Sequence, residues 1–367
     1  MSRALFVSSG RFLGGTGGVQ AATREYRAVL EAAGFTVSVV AFEPDRRWST
    51  RIGARCFSSP YWRPAEPGLV QRIAQDADRL DARVICLNQC ALAPLARMLR
   101  PLLHPDSRIV LLSHGLESTD LPHTLRARRD LPLSGRFRPT GGVVLAHTHR
   151  VERTSRPYVD AVCTLSPEDA ALEQRLGTVR VDWLPRLIEP APLSWAPASD
   201  RVGLVGTLDH APNLEGLVAV LRALPASTVR VRVVGGPPEV GRWLSATFPA
   251  VDYLGPLDDV ALRQEAASWS AFLHPLFYLS RGCSTKLATG LAWQLPIVTT
   301  RLGRRGYAWR EGGVVEAETP RAFVDAALRL LDPAEAARCR DRVIAASTSG
   351  PTLADNAARF RALVDPA

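Results

Sequence analysis

The chain of 367 residues is long enough for two domains of ordinary size, and its 46% hydrophobic and 22% charged content is that of a globular protein rather than a disordered one. No apolar run reaches the roughly 18 residues of a membrane-spanning helix, and the N-terminal apolar run is too short and too strand-like for a secretory signal. The formal net charge of +9 favours an anionic partner, whether a nucleotide sugar, a nucleic acid or an acidic membrane surface.

Residues 3–8 read as a buried strand, running into the glycine-rich loop Gly10 to Gly18. Residues 19–33 follow with helical character, closed by Gly34 as a C-terminal cap, and residues 35–41 form the next strand. Strand, glycine loop, helix and strand make a βαβ unit, which implies a parallel sheet. The loop lacks the Gly-Lys-Ser/Thr ending of a P-loop and gives no convincing dinucleotide fingerprint.

Residues 69–80 are helical in pattern, 83–87 a strand, 94–103 a helix and 108–112 a strand. That strand ends in Ser-His-Gly-Leu-Glu-Ser, so His114 and Glu117 fall at the carboxyl end of a core strand, where open parallel sheets bind ligands. His114 suits a bond to a sugar hydroxyl or the reacting centre, and Glu117 a base or sugar ligand. Residues 121–138 are arginine- and proline-rich and poorly periodic, reading as an acceptor loop or a solvated insertion. His147 and His149 would share a face of a strand, but no third metal ligand accompanies them, and no metal site is expected. Residues 159–165 form another strand, and Ser166-Pro167 opens a helix.

Four prolines between residues 185 and 200 mark a linker, dividing an N-terminal domain at 1–184 from a second at 201–350. The pattern then restarts: strands at 201–205, 229–234, 251–254 and 271–274 alternate with helices at 214–224, 241–248 and 258–267. Helices at 320–331, 333–346 and 353–363 finish the chain. The last falls in a segment (351–367) able to cross back to the N-terminal domain.

The stretch 280–300 is the focus of the second half. Arg281-Gly282 leads to Ser284 or Thr285 as helix cap, residues 286–293 form the helix, Pro296 ends it, and 297–300 read as a strand. A helix start with free N–H groups between Arg281 and Lys286 is an anion site. Of 45 lysines and arginines, Lys286 alone is lysine, a compact point charge in a chain otherwise built with arginine. The site is read as holding the diphosphate of an activated sugar, with chance survival of one surface lysine as the competing account.

Several motifs together resemble the GT-B glycosyltransferases, in the family 4-like branch of retaining, nucleotide-sugar-dependent enzymes. They are GTLDHAPNLEGL (206–217), the segment from His274 to Thr300, the glycine loop, the Ser113–Ser118 turn and CTLSPED (163–169). The resemblance implies α/β architecture with two doubly wound, Rossmann-like domains facing each other across a cleft. It implies that Arg281, Gly282, Ser284, Thr285 and Lys286 hold the donor diphosphate. Gly206, Thr207, Asn213, Gly235 and Thr289 would line the nucleotide and ribose. Gly14, Gly15, Thr16, Gly17 and Gly18 would face the phosphates or acceptor, and His114 the transferred sugar, with Arg186 a further candidate just past the linker proline. The donor would be UDP-, dTDP- or GDP-linked, with no cofactor or metal. The acceptor would be a small molecule, glycan or lipid, with peripheral membrane contact one reading of the basic surface. Nucleic acid is not expected, since no such motif is present and aromatics do not interleave with the basic runs.

The two positions where the family carries glutamates are Arg281 and Thr289 here, and Gln294 stands where a glycine is expected. Two alternatives therefore stand beside transfer: a sugar-nucleotide epimerase or hydrolase, and a non-catalytic binding protein. The six cysteines show no metal spacing, and Cys86 and Cys90 read as core thiols of a cytoplasmic protein.

Overall fold

The structure is a computed structural model, and it describes residues 2–15, 17–43, 61, 68–133, 141–226 and 229–365. The first sheet comprises β1 (Arg3–Ser9), β2 (Thr36–Phe42), β3 (Ala82–Asn88), β4 (Arg108–Leu112), β5 (Ala161–Thr164) and β6 (Val181–Trp183), in the order β2-β1-β3-β4-β5-β6. The second comprises β7 (Arg201–Val205), β8 (Arg230–Val234), β9 (Val251–Gly255), β10 (Ala271–His274), β11 (Ile297–Thr299) and β12 (Val315–Glu316), in the order β12-β11-β10-β7-β8-β9. All pairings are parallel. Residues between 184 and 200 carry no helix or strand. The expected α/β class with two doubly wound sheets is what the chain adopts.

Central strands are apolar on both faces because helices cover both. Ala4, Leu5, Phe6 and Val7 of β1 are all fully buried, with Leu5 and Val7 in one cluster and Ala4 and Phe6 in another across the sheet. The second domain has one large cluster around Trp269, Phe272, Leu291 and Phe323. The last helix, Leu353–Val364, opens with a Thr352–Asp355 capping box and lies on the first domain. Phe360 meets Phe35 edge-on, and Arg361 Nε donates to Ala33 O at 2.5 Å.

Both sheets reverse direction of strand addition at an identifiable point, between β1 and β3 in the first and between β7 and β10 in the second. Ligands bind outside the carboxyl ends of strands at such points. There lie the glycine loop after β1, the loop after β7 beginning at Gly206, and the 275–284 loop after β10.

Three sequence expectations are corrected. Residues 117–130 form a helix, Glu117–Asp130, although Pro122 lies inside it. Packing against the helices Gly141–Ser155 and Ala211–Ala223 overrides the one lost backbone bond. The His147–His149 pair is on the helix Gly141–Ser155, not a strand. Residues two apart on a helix point about 200° from each other, so the pair cannot share a metal. Ser284 occupies the cap position of the helix Thr285–Trp293, but its hydroxyl bonds no helix amide.

Candidate functional site

The carboxyl ends of the two sheets enclose a cleft of about 770 Å³. Its walls bring together Gly18, His114, Glu117, Arg186, Thr207, Asn213, Arg281, Gly282, Ser284, Thr285 and Lys286. Gly14 and Gly15 are not among the residues facing it, and Thr16 lies outside the described residues. Gly18 faces the helix tip across the cleft, where an added Cβ would stand 3.0 Å from Thr285 Oγ1.

The loop before that tip is held by buried groups. Arg305 donates through Nη2 to Ser280 O at 2.7 Å and Ser280 Oγ at 2.8 Å. The Tyr307 hydroxyl donates to Ser284 O at 2.6 Å and accepts from the Ala288 amide at 3.1 Å. Ser284 Oγ lies 2.7 Å from His274 Nε2, and His274 Nδ1 lies 2.9 Å from Thr299 Oγ1. Burial first, then Lys286 and Arg305, hold His274 down at about 3, so its ring is neutral. Among the described residues no acceptor meets the amides of Thr285, Lys286 or Leu287. The positive end of the helix thus opens on the cleft.

Lys286 extends from this tip along Gly206, whose φ is +148°. Among the described residues no carboxylate pairs with its ammonium, and burial lowers its pKa to about 8. A half-buried cation without a counter-ion, beside free helix amides, is a site for an anion.

Arg281 is committed differently. Its guanidinium pairs with Glu117, and its Nε lies 3.2 Å from Asp120 Oδ2. Its amide donates to Asp120 Oδ1 at 2.7 Å. The two loops touch here: a Cβ on Gly115 would fall 2.6 Å from Arg281 Cβ, and one on Gly282 2.6 Å from His114 O. Glu117, expected as a base, and Arg281, expected on the diphosphate, therefore face each other across the domain boundary.

His114 Nε2 lies 2.8 Å from Asn88 Oδ1. Asn88 Nδ2 donates to Ser8 Oγ and Thr23 Oγ1, both at 3.0 Å, which leaves Oδ1 as acceptor. Nε2 therefore carries the proton and Nδ1 is a free acceptor. Burial, then Arg186 and Arg281, push the His114 pKa down to about 3. It is a neutral hydrogen-bonding group, not a cation.

Thr289 lies on a neighbouring groove of about 1140 Å³, with Arg24, Glu25, Ala288 and Arg186. Its Oγ1 donates back to Thr285 O at 3.3 Å. Gly235 is packed against the Gly206 backbone and lines neither hollow. Sequence reasoning missed Asp120, His274, Arg305, Tyr307 and Glu25. Of these only His274, a lone histidine closing β10, carried a local signal.

Among the described residues no group of three or more His, Cys, Asp or Glu is placed to hold a metal, and no helix is long and apolar enough to cross a membrane. Cys86, Cys90, Cys163, Cys283 and Cys339 are free.

Residues 199–333 match the family model "Glycosyl transferases group 1". No curated protein matches the chain in sequence. Solved structures with similar folds include sucrose-phosphate synthase from Thermosynechococcus elongatus, at 16% identity and TM-score 0.63 over 99% of this chain and 98% of that one. Anabaena HepE in complex with UDP aligns at 13% identity and TM-score 0.63, over 98% of each chain. The lipopolysaccharide outer core galactosyltransferase WaaB, in its apo form, aligns at 12% identity and TM-score 0.59, over 98% of each. Two parallel six-stranded sheets across a cleft thus give this chain the GT-B fold of these solved structures, and the match to the glycosyl transferases group 1 model falls on the residues that carry the second sheet.

Proposed function

We propose that the protein transfers a sugar from a nucleoside-diphosphate sugar to a hydroxyl-bearing acceptor. The observation that carries this reading is Lys286, a half-buried cation with no carboxylate partner among the described residues, at the open tip of Thr285–Trp293. The diphosphate sits on that tip, where amide dipoles and the ammonium stabilise the charge that grows as the bond from the anomeric carbon to the phosphate oxygen breaks. The sugar extends into the cleft toward His114, whose Nδ1 accepts from a sugar hydroxyl. The nucleoside runs along the groove beside Thr289. The acceptor oxygen forms the new bond to the anomeric carbon, the phosphate oxygen keeps the bonding electron pair, and the hydroxyl proton leaves with the diphosphate.

HepE was solved with UDP, which makes UDP the first donor base to try. Retention at the anomeric carbon and a hexosyl donor are proposed on the sequence resemblance. Calorimetry with UDP, dTDP and GDP on wild type and Lys286→Ala tests the site. Binding of one of them, lost or weakened about tenfold or more in the variant, supports it; equal binding by both proteins removes it.

A further inference from the structure

We propose that Arg186 is the second cationic ligand of the donor diphosphate, supplied from the junction between the domains in place of Arg281. This rests on the reading above. Arg281 is already paired with Glu117 and Asp120, so its charge is spent across the domain boundary. Arg186 is only 5% exposed, yet its guanidinium is largely unmet. Its Nε lies 2.7 Å from Glu25 Oε2, while Nη1 has no hydrogen-bond partner. One carboxylate against a group with five N–H donors leaves buried donors unsatisfied, a state that costs free energy unless a ligand completes it.

The position of the side chain names the ligand. Arg186 belongs to the walls of both hollows, the cleft with His114 and Lys286 and the groove with Thr289. A nucleotide sugar lying across the two would place its sugar in the first, its nucleoside in the second and its diphosphate where they meet. A planar guanidinium fork matches phosphate oxygens two at a time, which an ammonium does not. The backbone fixes it there. The Arg186 amide donates to Gly306 O of the second domain at 2.8 Å, and the next amide, of Leu187, donates to Glu25 Oε1 of the first at 2.8 Å. Proximity to His114 agrees, since Arg186 is among the charges that keep that ring neutral.

The test measures binding of uridine, UMP and UDP (or the dTDP or GDP series, if that is the one wild type takes) to wild type, Arg186→Leu, Arg186→Lys and Glu25→Gln. Arg186→Leu is expected to weaken the diphosphate about tenfold or more and leave the nucleoside within about twofold, with Arg186→Lys between. Glu25→Gln removes the competing carboxylate and is expected to tighten the diphosphate about two- to fivefold, which a purely structural role for Arg186 would not produce. Where Arg186→Leu does not fold, as judged by circular dichroism, the lysine and Glu25 variants decide. Unchanged diphosphate affinity in the arginine variants, with Lys286→Ala still impaired, overturns this assignment and spares the reading above. Unchanged affinity in Lys286→Ala, or no diphosphate bound by wild type, overturns that reading.

Discussion

Lys286 reaches the cleft over a residue that has no side chain. A Cβ on Gly206 would fall 2.8 Å from Lys286 Cδ and overlap its Cε, and the Gly206 φ of +148° is one that other residues rarely adopt. Gly206→Ala is therefore expected to displace the ammonium while leaving the cationic residues intact. UDP affinity should fall about tenfold or more, with circular dichroism unchanged. Wild-type affinity in this variant would show that Lys286 does not need its present path.

The same lysine sets a pH dependence. Burial lowers its pKa from 10.5 to about 8 in the free protein, and a bound diphosphate favours the protonated form. Binding must then raise that pKa. Affinity is full below about pH 8 and falls as pH climbs through it, by up to about tenfold per unit until the bound-state pKa is reached. Without ligand, the lowered pKa makes this group's contribution to stability increase as pH rises from about 8 toward 10.5. Calorimetric titration between pH 7 and 10 reads the first effect, and a flat profile separates Lys286 from the phosphates.

His114 is neutral, with Nε2–H given to Asn88 and Nδ1 open. His114→Ala should lower kcat about 10- to 100-fold, the value of one buried hydrogen bond strengthened in the transition state. A pKa of about 3 also means that no ionisation of this ring appears in kcat/KM between pH 5 and 8. An inflection in that range which the variant abolishes would contradict the neutral assignment.

The Glu117–Arg281–Asp120 contact joins the domains rather than the donor. Arg281→Ala should open the cleft, seen as a larger radius of gyration by small-angle scattering, while UDP affinity stays within about threefold. Loss of affinity as large as that of Lys286→Ala would return Arg281 to the diphosphate.

Beneath the cleft floor, Arg156 and Glu173 form a fully buried ion pair, with Arg156 Nη2 2.9 Å from Glu173 Oε1 and Ser113 Oγ donating to that oxygen at 3.2 Å. Glu173→Gln leaves a buried guanidinium without its counter-charge, and urea denaturation should show a loss of about 3–5 kcal/mol. Replacing both partners by Leu and Met should restore most of it.

The chain by itself determined the alternation of strands and helices, the glycine loop after β1 and the lone lysine at a helix start. Each is a local property: apolar runs, turn residues and a charge placed within the first turn of a helix. Helix Glu117–Asp130 was not legible, because Pro122 and a weak apolar pattern hide a helix that packing on two neighbours enforces. Charge pairing was equally hidden. Arg281, Arg186 and Lys286 look alike as basic residues near glycines and prolines, yet Glu117 and Asp120 take the first, Glu25 half-takes the second and, among the described residues, no carboxylate reaches the third. Which cation stays available depends on carboxylates far away in sequence, Asp120 standing 161 positions from Arg281, brought close only when the two sheets fold and face one another.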